Sequence, residues 1–377
     1  SYDDTQRPIT WDEFQSTQYK DSTDRSAYLE GYYEVYAIAK DGAGNETKSN
    51  ILTFAIDKHA PLIESVHVIA GVSGEEKTAD ADEVYYLNED GRLEITATDH
   101  FPAKNTYIEV EGKMQGNMMQ QERHSILEQT QHFITRTPYA DEGKYAVEIG
   151  GKDQAGNIVD LLYRDIVIDK TSPQLSISGI QEGTLTKNAV TLTYQAVDKN
   201  HDFDQYKVTV HRTTLDGEED TTVEQNSTDW KQSGYDRNLQ KDYTTSRSMT
   251  YTTEGNYEIT LEGVDKAGNV AVAQTITFSI DHTAPVISDI TYADMTGLLK
   301  PRYDIIFSNK QIRVQFAVKD RVVGVENAYV YVTLGDGKDR LADAPLYIAK
   351  KGADDYYYVY VPADMALTEY DGLLTIW

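Results

Sequence analysis

Acidic and amide side chains recur at matching positions along this 377-residue chain, in predicted turns and in short linkers. Carboxylate and amide oxygens are ligands that Ca²⁺ prefers, so these residues could bind that ion. They are Asp41, Asn45, Asp57, Asp153, Asn157, Asp169, Asp265, Asn269 and Asp281. Tight turns also favour Asp and Asn for their own hydrogen bonds, which explains the same residues without a metal. The chain has no Asp-x-Asp-x-Asp-Gly loop, so turn chemistry is the simpler of the two open alternatives, and no other cofactor is implied.

Motifs of common catalytic sites are missing from the sequence. It has no Gly-x-Ser-x-Gly elbow, no His-Glu-x-x-His pair and no glycine-rich phosphate loop. Cysteine is absent, which excludes disulfides, thiolate catalysis and thiolate metal sites. The eight histidines are scattered without the spacing of metal ligands. We therefore expect no enzymatic activity from this chain.

Aromatic side chains form a second group that could recognise a ligand. Trp230, Tyr235, Tyr243 and the strand Tyr356–Tyr360 could stack on a sugar or on a protein partner. Alternating tyrosines are also typical of a strand with one buried face and one wet face, and this second interpretation is favoured.

The elements that position these residues repeat along the chain. Asp-x-Ala-Gly-Asn occurs three times, beginning at Asp41, Asp153 and Asp265, at intervals of 112 residues. Pro61, Pro173 and Pro285 follow at the same interval. Because two independent markers share one period, the chain is a tandem array with a 112-residue unit.

Each unit is predicted to end in a β-hairpin. Tyr257, Ile259 and Leu261 alternate with polar residues, which is the period of a strand with one buried face. Gly268 supplies the positive φ that a short turn needs, and Asp265 can bond within its own turn. The remaining segments also alternate, although the window Gln120–Gln131 could form either a strand or a short helix.

A family resemblance rests on these residues. Glu254-Gly255-Asn-Tyr257-Glu-Ile259 resembles the immunoglobulin-fold segment around the tyrosine corner, with Ile259 in place of the cysteine. The Asp-x-Ala-Gly-Asn turn, followed by Ile-Asp and a proline, is similar to the tandem immunoglobulin-like repeats of bacterial surface proteins, especially those of Gram-positive bacteria. The resemblance implies an all-β fold of tandem immunoglobulin-like antiparallel β-sandwiches, arranged as an elongated array.

The repeat divides the chain into four segments. Residues 1–57 are predicted to be the C-terminal half of a module, and residues 282–377 the N-terminal part of another. Residues 58–169 and 170–281 are predicted to be complete modules, each in contact with its neighbours in the chain.

Charge and composition reduce the number of possible functions. The formal net charge of −27 argues against nucleic acid as a partner, and no apolar run is long enough for membrane insertion. We expect an extracellular or cell-surface location and a stalk that projects a distal functional domain. Two alternatives stay open: an adhesin module that binds a host glycan or extracellular protein, and an ancillary segment of an exported glycosidase or protease.

Overall fold

The computed structural model describes residues 30–234, 240–294, 297–299, 311–334, 346–353, 356–361 and 374–376. In these ranges the chain forms strands and turns, with two short 3₁₀ helices at Phe203–Gln205 and Ser227–Asp229. The all-β fold of tandem antiparallel β-sandwiches is therefore confirmed. Tyr235, one of the aromatic candidates, lies outside the described residues.

Two compact units divide the chain. The first contains the described residues up to Ser172, residues 240–241 and the turn Asp265–Asn269, and the second contains the rest. The described part of the first unit begins with two two-stranded antiparallel sheets, in which β1 pairs with β4 and β2 pairs with β3. The four strands are β1 (Gly31–Val35), β2 (Ile38–Lys40), β3 (Glu46–Lys48) and β4 (Leu52–Ile56).

A complete β-sandwich follows in the first unit. Its strands are β5 (Leu62–Ala70), β6 (Glu76–Lys77), β7 (Val84–Leu87), β8 (Gly91–Thr98), β9 (Tyr107–Met114), β10 (Asn117–Ser125), β11 (Thr130–Ile134), β12 (Gly143–Lys152) and β13 (Leu162–Ile168). One sheet has the order β10-β9-β12-β13-β7 and the other β11-β8-β5-β6. All pairs are antiparallel except that of β7 with β13. The window Gln120–Gln131 thus lies in strands β10 and β11 and the loop between them.

The core of this sandwich follows the predicted alternation. Leu93, Ile95 and Ala97 of β8 are fully buried, and Val147 and Ile149 of β12 face them from the other sheet within one apolar cluster. Burying an apolar side chain of this size contributes about 1.5–3 kcal/mol to folding. The packed sheets therefore fix the ends of β8 and β12, where the candidate site lies.

The second unit repeats the sandwich. Its strands are β14 (Gln174–Ser178), β15 (Thr184–Thr186), β16 (Val190–Asp198), β17 (Lys207–Thr213), β18 (Glu219–Glu224), β19 (Lys231–Ser233), β20 (Tyr243–Tyr251), β21 (Gly255–Glu262) and β22 (Gln274–Ile280). The sheets have the orders β14-β16-β20-β19 and β15-β22-β21-β17-β18. Tyr257, Ile259 and Leu261 point into the core, whereas Glu258 and Glu262 are exposed, as the alternation predicts.

The tyrosine corner of the second sandwich is present. The Tyr257 hydroxyl donates to the Thr253 carbonyl oxygen at 2.6 Å. In the first sandwich, the Asp141 amide donates to the Tyr145 hydroxyl at 3.1 Å. Each bond ties the start of the hairpin to the loop before it, as the sequence pattern predicts.

A third set of strands completes the second unit. These strands are β23 (Val286–Asp294), β24 (Gly297–Leu299), β25 (Ile312–Lys319), β26 (Ala328–Leu334), β27 (Leu346–Lys351), β28 (Tyr356–Val361) and β29 (Leu374–Ile376). They form one seven-stranded sheet in the order β24-β23-β25-β28-β27-β26-β29. Phe316, Val330, Ala349 and Val359, from four of these strands, share one apolar cluster. Pro61, Pro173 and Pro285 each directly precede the first strand of a set, where the missing N–H is tolerated.

Candidate metal site at a module junction

The predicted turn chemistry is found in the hairpin between β12 and β13. Asp153 Oδ1 accepts from the amides of Gly156 at 2.6 Å and Asn157 at 2.9 Å. Gly156 has φ +97°, a region that favours glycine. The Asn157 side-chain amide donates to Asp153 Oδ2 at 2.6 Å, so the turn satisfies both oxygens of the carboxylate.

The other two repeats form the same turn. Asn45 donates from its backbone amide to Asp41 Oδ1 at 2.9 Å, and Asn269 does so to Asp265 Oδ1 at 2.8 Å. Gly44 and Gly268 have φ values of +93° and +92°. The prediction that these Asp residues bond within their own turns is therefore confirmed.

The turn asparagine also reaches the linker before its module. Asn157 Nδ2 donates to the Asp57 carbonyl oxygen at 3.2 Å, across 100 residues of sequence. Asn269 Nδ2 donates to the Asp169 carbonyl oxygen at 2.8 Å, across the same separation. Asn157 and Asn269 thus act as donors through their amide nitrogens, while their predicted role as oxygen ligands stays a prediction.

A glutamate also accepts a hydrogen bond from a backbone amide of each linker. Glu30 Oε1 accepts from the Lys58 amide at 2.7 Å, and Glu142 Oε1 accepts from the Lys170 amide at 2.8 Å. Glu254 Oε1 accepts from the His282 amide at 2.8 Å. All three pairs are separated by 28 residues, so the interaction repeats with the period of the chain.

Three aspartates converge at the first of these linkers. Asp57 lies in the linker after β4, Asp99 directly follows β8, and Asp153 opens the turn after β12. Each offers a carboxylate oxygen, and the three oxygens lie within 4.8 Å of one another. Asp99 is 6% exposed and Asp153 is 2% exposed, whereas Asp57 is partly buried.

Burial and mutual repulsion disfavour the ionised form of two carboxylates in the cluster. Burial raises the pKa of Asp57 to about 6, and repulsion from Asp153 and Asp99 adds to this effect. Burial also raises the pKa of Asp99, again with repulsion from Asp153. The charge of His100 partly opposes the raised pKa of Asp99.

The hydrogen bonds leave one oxygen of the cluster without a partner. Asp99 Oδ1 accepts from the Phe101 amide at 2.7 Å. Asp99 Oδ2 is shielded from solvent and has no hydrogen-bond partner among the residues that the structure describes. A buried carboxylate oxygen of this kind needs a proton or a cation to offset its loss of hydration.

The remaining predicted ligands have different surroundings. Asp41 and Asn45 are exposed, and the hydrogen bond from the Asn45 side chain lowers the pKa of Asp41. Asp169 and Asp265 are both buried; burial raises the pKa of Asp265, with repulsion from Asp169. Burial, Asp320 and Glu254 raise the pKa of Asp281.

Asp99 was missed as a candidate because its role depends on tertiary structure. The sequence carries one signal for it, since Asp99 and Asp198 stand at the ends of the equivalent strands β8 and β16. Asp198 is also buried, at 4% exposed. An acidic residue that recurs at the end of an alternating apolar strand could have been identified from the sequence.

Two of the aromatic candidates are core residues. Trp230 and Tyr243 are 6% and 7% exposed, so the prediction of an exposed stacking surface is wrong for them. In the strand Tyr356–Tyr360, Tyr357 is buried and Tyr360 is 45% exposed. This strand therefore fits the favoured interpretation, in which one face of the strand is buried in the core and the other faces solvent. In the part of the chain that the structure describes, no helix is long and apolar enough to cross a membrane.

Comparison with known proteins found solved structures similar to this chain, but no matching family model and no matching curated protein. The fibronectin(III)-like modules of Clostridium thermocellum CbhA cover 58% of this chain and 93% of their own, with 14% identity and a TM-score of 0.24. The FN1–FN3 domains of chicken CNTN1 cover 66% of this chain and 76% of their own, with 12% identity and a TM-score of 0.23. The all-β fold of this chain is established by its own strands and sheets.

Proposed function

We propose that this chain is a stalk or spacer segment of a large secreted bacterial surface protein, which projects a distal functional domain. The observation that supports this proposal is the repeated anchoring of the linkers. A glutamate 28 residues earlier and an asparagine 100 residues later hold the linkers at Asp57–Lys58 and Asp169–Lys170. A spacer needs such anchoring, because a chain of sandwiches joined by free linkers would bend at every junction.

The proposed location is extracellular or attached to the cell surface, in a Gram-positive bacterium. The net charge of −27 keeps such a chain soluble and repels nucleic acid and anionic membranes. The absence of cysteine suits exported modules that fold without disulfides. We propose that the chain is not an enzyme, since its sequence carries no catalytic motif and its repeated residues serve turns and linkers.

An adhesin module is the second candidate function. Tyr329 and Ile348 are direct neighbours on β26 and β27 and are 46% and 65% exposed. Exposed aromatic and apolar side chains on one sheet could bind a host glycan or an extracellular protein.

A binding screen separates the two candidates. The chain is tested against glycans and extracellular-matrix proteins, once with Ca²⁺ and once with a chelator, after circular dichroism has confirmed folding. The spacer proposal predicts no reproducible binding in either condition. Binding that is lost in the double variant Tyr329→Ser and Ile348→Ser, but kept in Leu185→Ser on an exposed position of the second sandwich, would instead establish the adhesin.

A further inference from the structure

We infer that Asp57, Asp99 and Asp153 bind one Ca²⁺ ion at the junction between the linker and the first complete sandwich. Turn chemistry explains Asp153, because the turn amides and Asn157 satisfy its two oxygens. It does not explain Asp99, which lies outside the turn and keeps a buried oxygen without a partner in the described part of the chain. It also does not explain why the linker places Asp57 beside two other carboxylates.

The dimensions of the cluster suit this ion. Ca²⁺ binds oxygens at about 2.3–2.6 Å, so two ligands on opposite sides of it are separated by roughly 5 Å. The three carboxylate oxygens lie within 4.8 Å of one another, which lets all three contact one ion. Asp57 is only partly buried, so water can reach the cluster and complete the six to eight oxygen ligands that Ca²⁺ takes.

The charge of the cluster suits a divalent cation. Three carboxylates carry a charge of −3 when ionised, and buried like charges of this kind need a counter-charge. Mg²⁺ requires near-ideal octahedral geometry and gives up its water reluctantly. Carboxylates held by two strand ends and a linker suit the larger and more adaptable Ca²⁺.

Binding would join two parts of the chain. Asp57 belongs to the linker, whereas Asp99 and Asp153 belong to the sandwich. An ion that binds only the folded arrangement stabilises it by mass action. The inference concerns the metal site alone and holds whether the chain serves as a spacer or as an adhesin.

The test is calorimetric titration of the chelator-treated chain with CaCl₂ and, separately, with MgCl₂. The unaltered chain should bind Ca²⁺ more tightly than Mg²⁺ and should unfold at a higher temperature in Ca²⁺ than in chelator. Asp99→Asn keeps the acceptor for the Phe101 amide but removes a charge, so it should weaken the binding of one Ca²⁺ by about tenfold or more. In chelator this variant should unfold at the same temperature as the unaltered chain or a higher one, because it relieves repulsion.

Asp41→Asn is the matched control. Asp41 forms the same turn as Asp153 but is exposed, so this substitution disturbs a turn and leaves the cluster intact. It should leave Ca²⁺ binding unchanged. If Asp99→Asn does not fold, Asp57→Asn replaces it, since Asp57 is partly exposed and lies outside the strands. No Ca²⁺ binding by the unaltered chain, equal affinity for Mg²⁺, or unchanged Ca²⁺ binding in the Asp57 and Asp99 variants would each overturn the inference.

Discussion

The glutamate that precedes each hairpin connects the sandwich to the next linker. Glu254 is 7% exposed and accepts from the His282 amide at 2.8 Å, and its carboxylate also lies 3.0 Å from the His282 ring nitrogen Nδ1. The hydrogen bond from the Thr283 side chain is the main cause that lowers the pKa of Glu254. Because the carboxylate is ionised and buried, its hydrogen bonds are stronger than those between neutral groups.

Removal of this carboxylate should therefore destabilise the second sandwich. We expect Glu254→Ala to lower its free energy of unfolding by about 1–3 kcal/mol, the range for hydrogen bonds to a charged group. Urea unfolding followed by the fluorescence of Trp230 measures this, in a chain in which Trp11 and Trp377 are replaced by Phe. Trp230 is the suitable reporter because it lies in the core of that sandwich.

Glu262→Ala is the control for this prediction. Glu262 pairs with Lys207 at 2.8 Å, but both side chains are well exposed. Exposed ion pairs contribute about 0–1 kcal/mol, so this variant should be close to the unaltered chain. If both variants lost the same free energy of unfolding, the contact between Glu254 and the linker would stabilise the sandwich no more than an exposed ion pair does.

We expect His201 to make the stability of the second sandwich depend on pH. It is 2% exposed, and its Nε2–H donates to the Tyr243 carbonyl oxygen at 3.0 Å. Nδ1 therefore accepts from the Tyr206 hydroxyl at 2.5 Å in the neutral ring. Burial lowers the pKa of His201, and the Tyr243 carbonyl and the charge of Asp242 only partly oppose this.

The sign of the pH effect follows from this lowered pKa. Below about pH 6.5 the unfolded state binds a proton at His201 that the folded state does not, so stability falls as the pH falls. One such group changes the free energy of unfolding by up to about 1.4 kcal/mol per pH unit. Urea unfolding between pH 7.5 and 5 should show a flatter profile for His201→Gln than for the unaltered chain. Parallel profiles would show that His201 does not titrate differently in the two states.

At the scale of elements, the hairpin turn depends on one glycine. Gly156 has φ +97°, and a Cβ added there would meet no atom within 4 Å. A side chain at this position therefore lowers the free energy of unfolding only because the positive φ is unfavourable for it. For Ala this loss is about 1–2 kcal/mol. The position two residues earlier is Gly42, Gln154 or Lys266 in the three repeats, so it accepts a side chain.

This difference gives a paired prediction for the first sandwich. Gly156→Ala should lower the midpoint of its thermal unfolding by roughly 4–8 °C per kcal/mol lost, and Gln154→Ala should leave it nearly unchanged. Differential scanning calorimetry in chelator measures both variants without any contribution from Ca²⁺. A similar decrease in both would indicate that the turn is sensitive to any substitution and not to the positive φ.

Elements that depend on local pattern could be predicted from the sequence. The strand from Tyr257 to Leu261, its turn and its tyrosine corner follow from alternation, glycine and aspartate within about twenty residues. Features that depend on distant residues could not be predicted in the same way. The position of Asp99 beside Asp153, the burial of Trp230 and the donor role of Asn157 all arise from packing between strands far apart in sequence.

At the scale of the whole molecule, the proposed role as a spacer implies that the chain bears tension. The 112-residue period predicts that segments 58–169 and 170–281 fold as separate modules. When one module unfolds under force, its 112 residues extend to roughly 400 Å at about 3.6 Å per residue. The folded module already spans roughly 30–40 Å, the length of its longest strands, so each event should release about 360 Å.

Single-molecule pulling of the intact chain should therefore show two steps of equal length from segments 58–169 and 170–281, in addition to the separate unfolding of the strands β23–β29. If Ca²⁺ joins the linker to the first sandwich, the force of one step should rise when chelator is replaced by Ca²⁺, because the bound ion must be released before the linker separates. The Asp99→Asn variant should keep both step lengths and lose the rise in force, which separates the number of modules from the metal site. One step of about twice the length would mean that residues 58–281 unfold as a single cooperative domain, and a stalk built from independent modules would then be the wrong description.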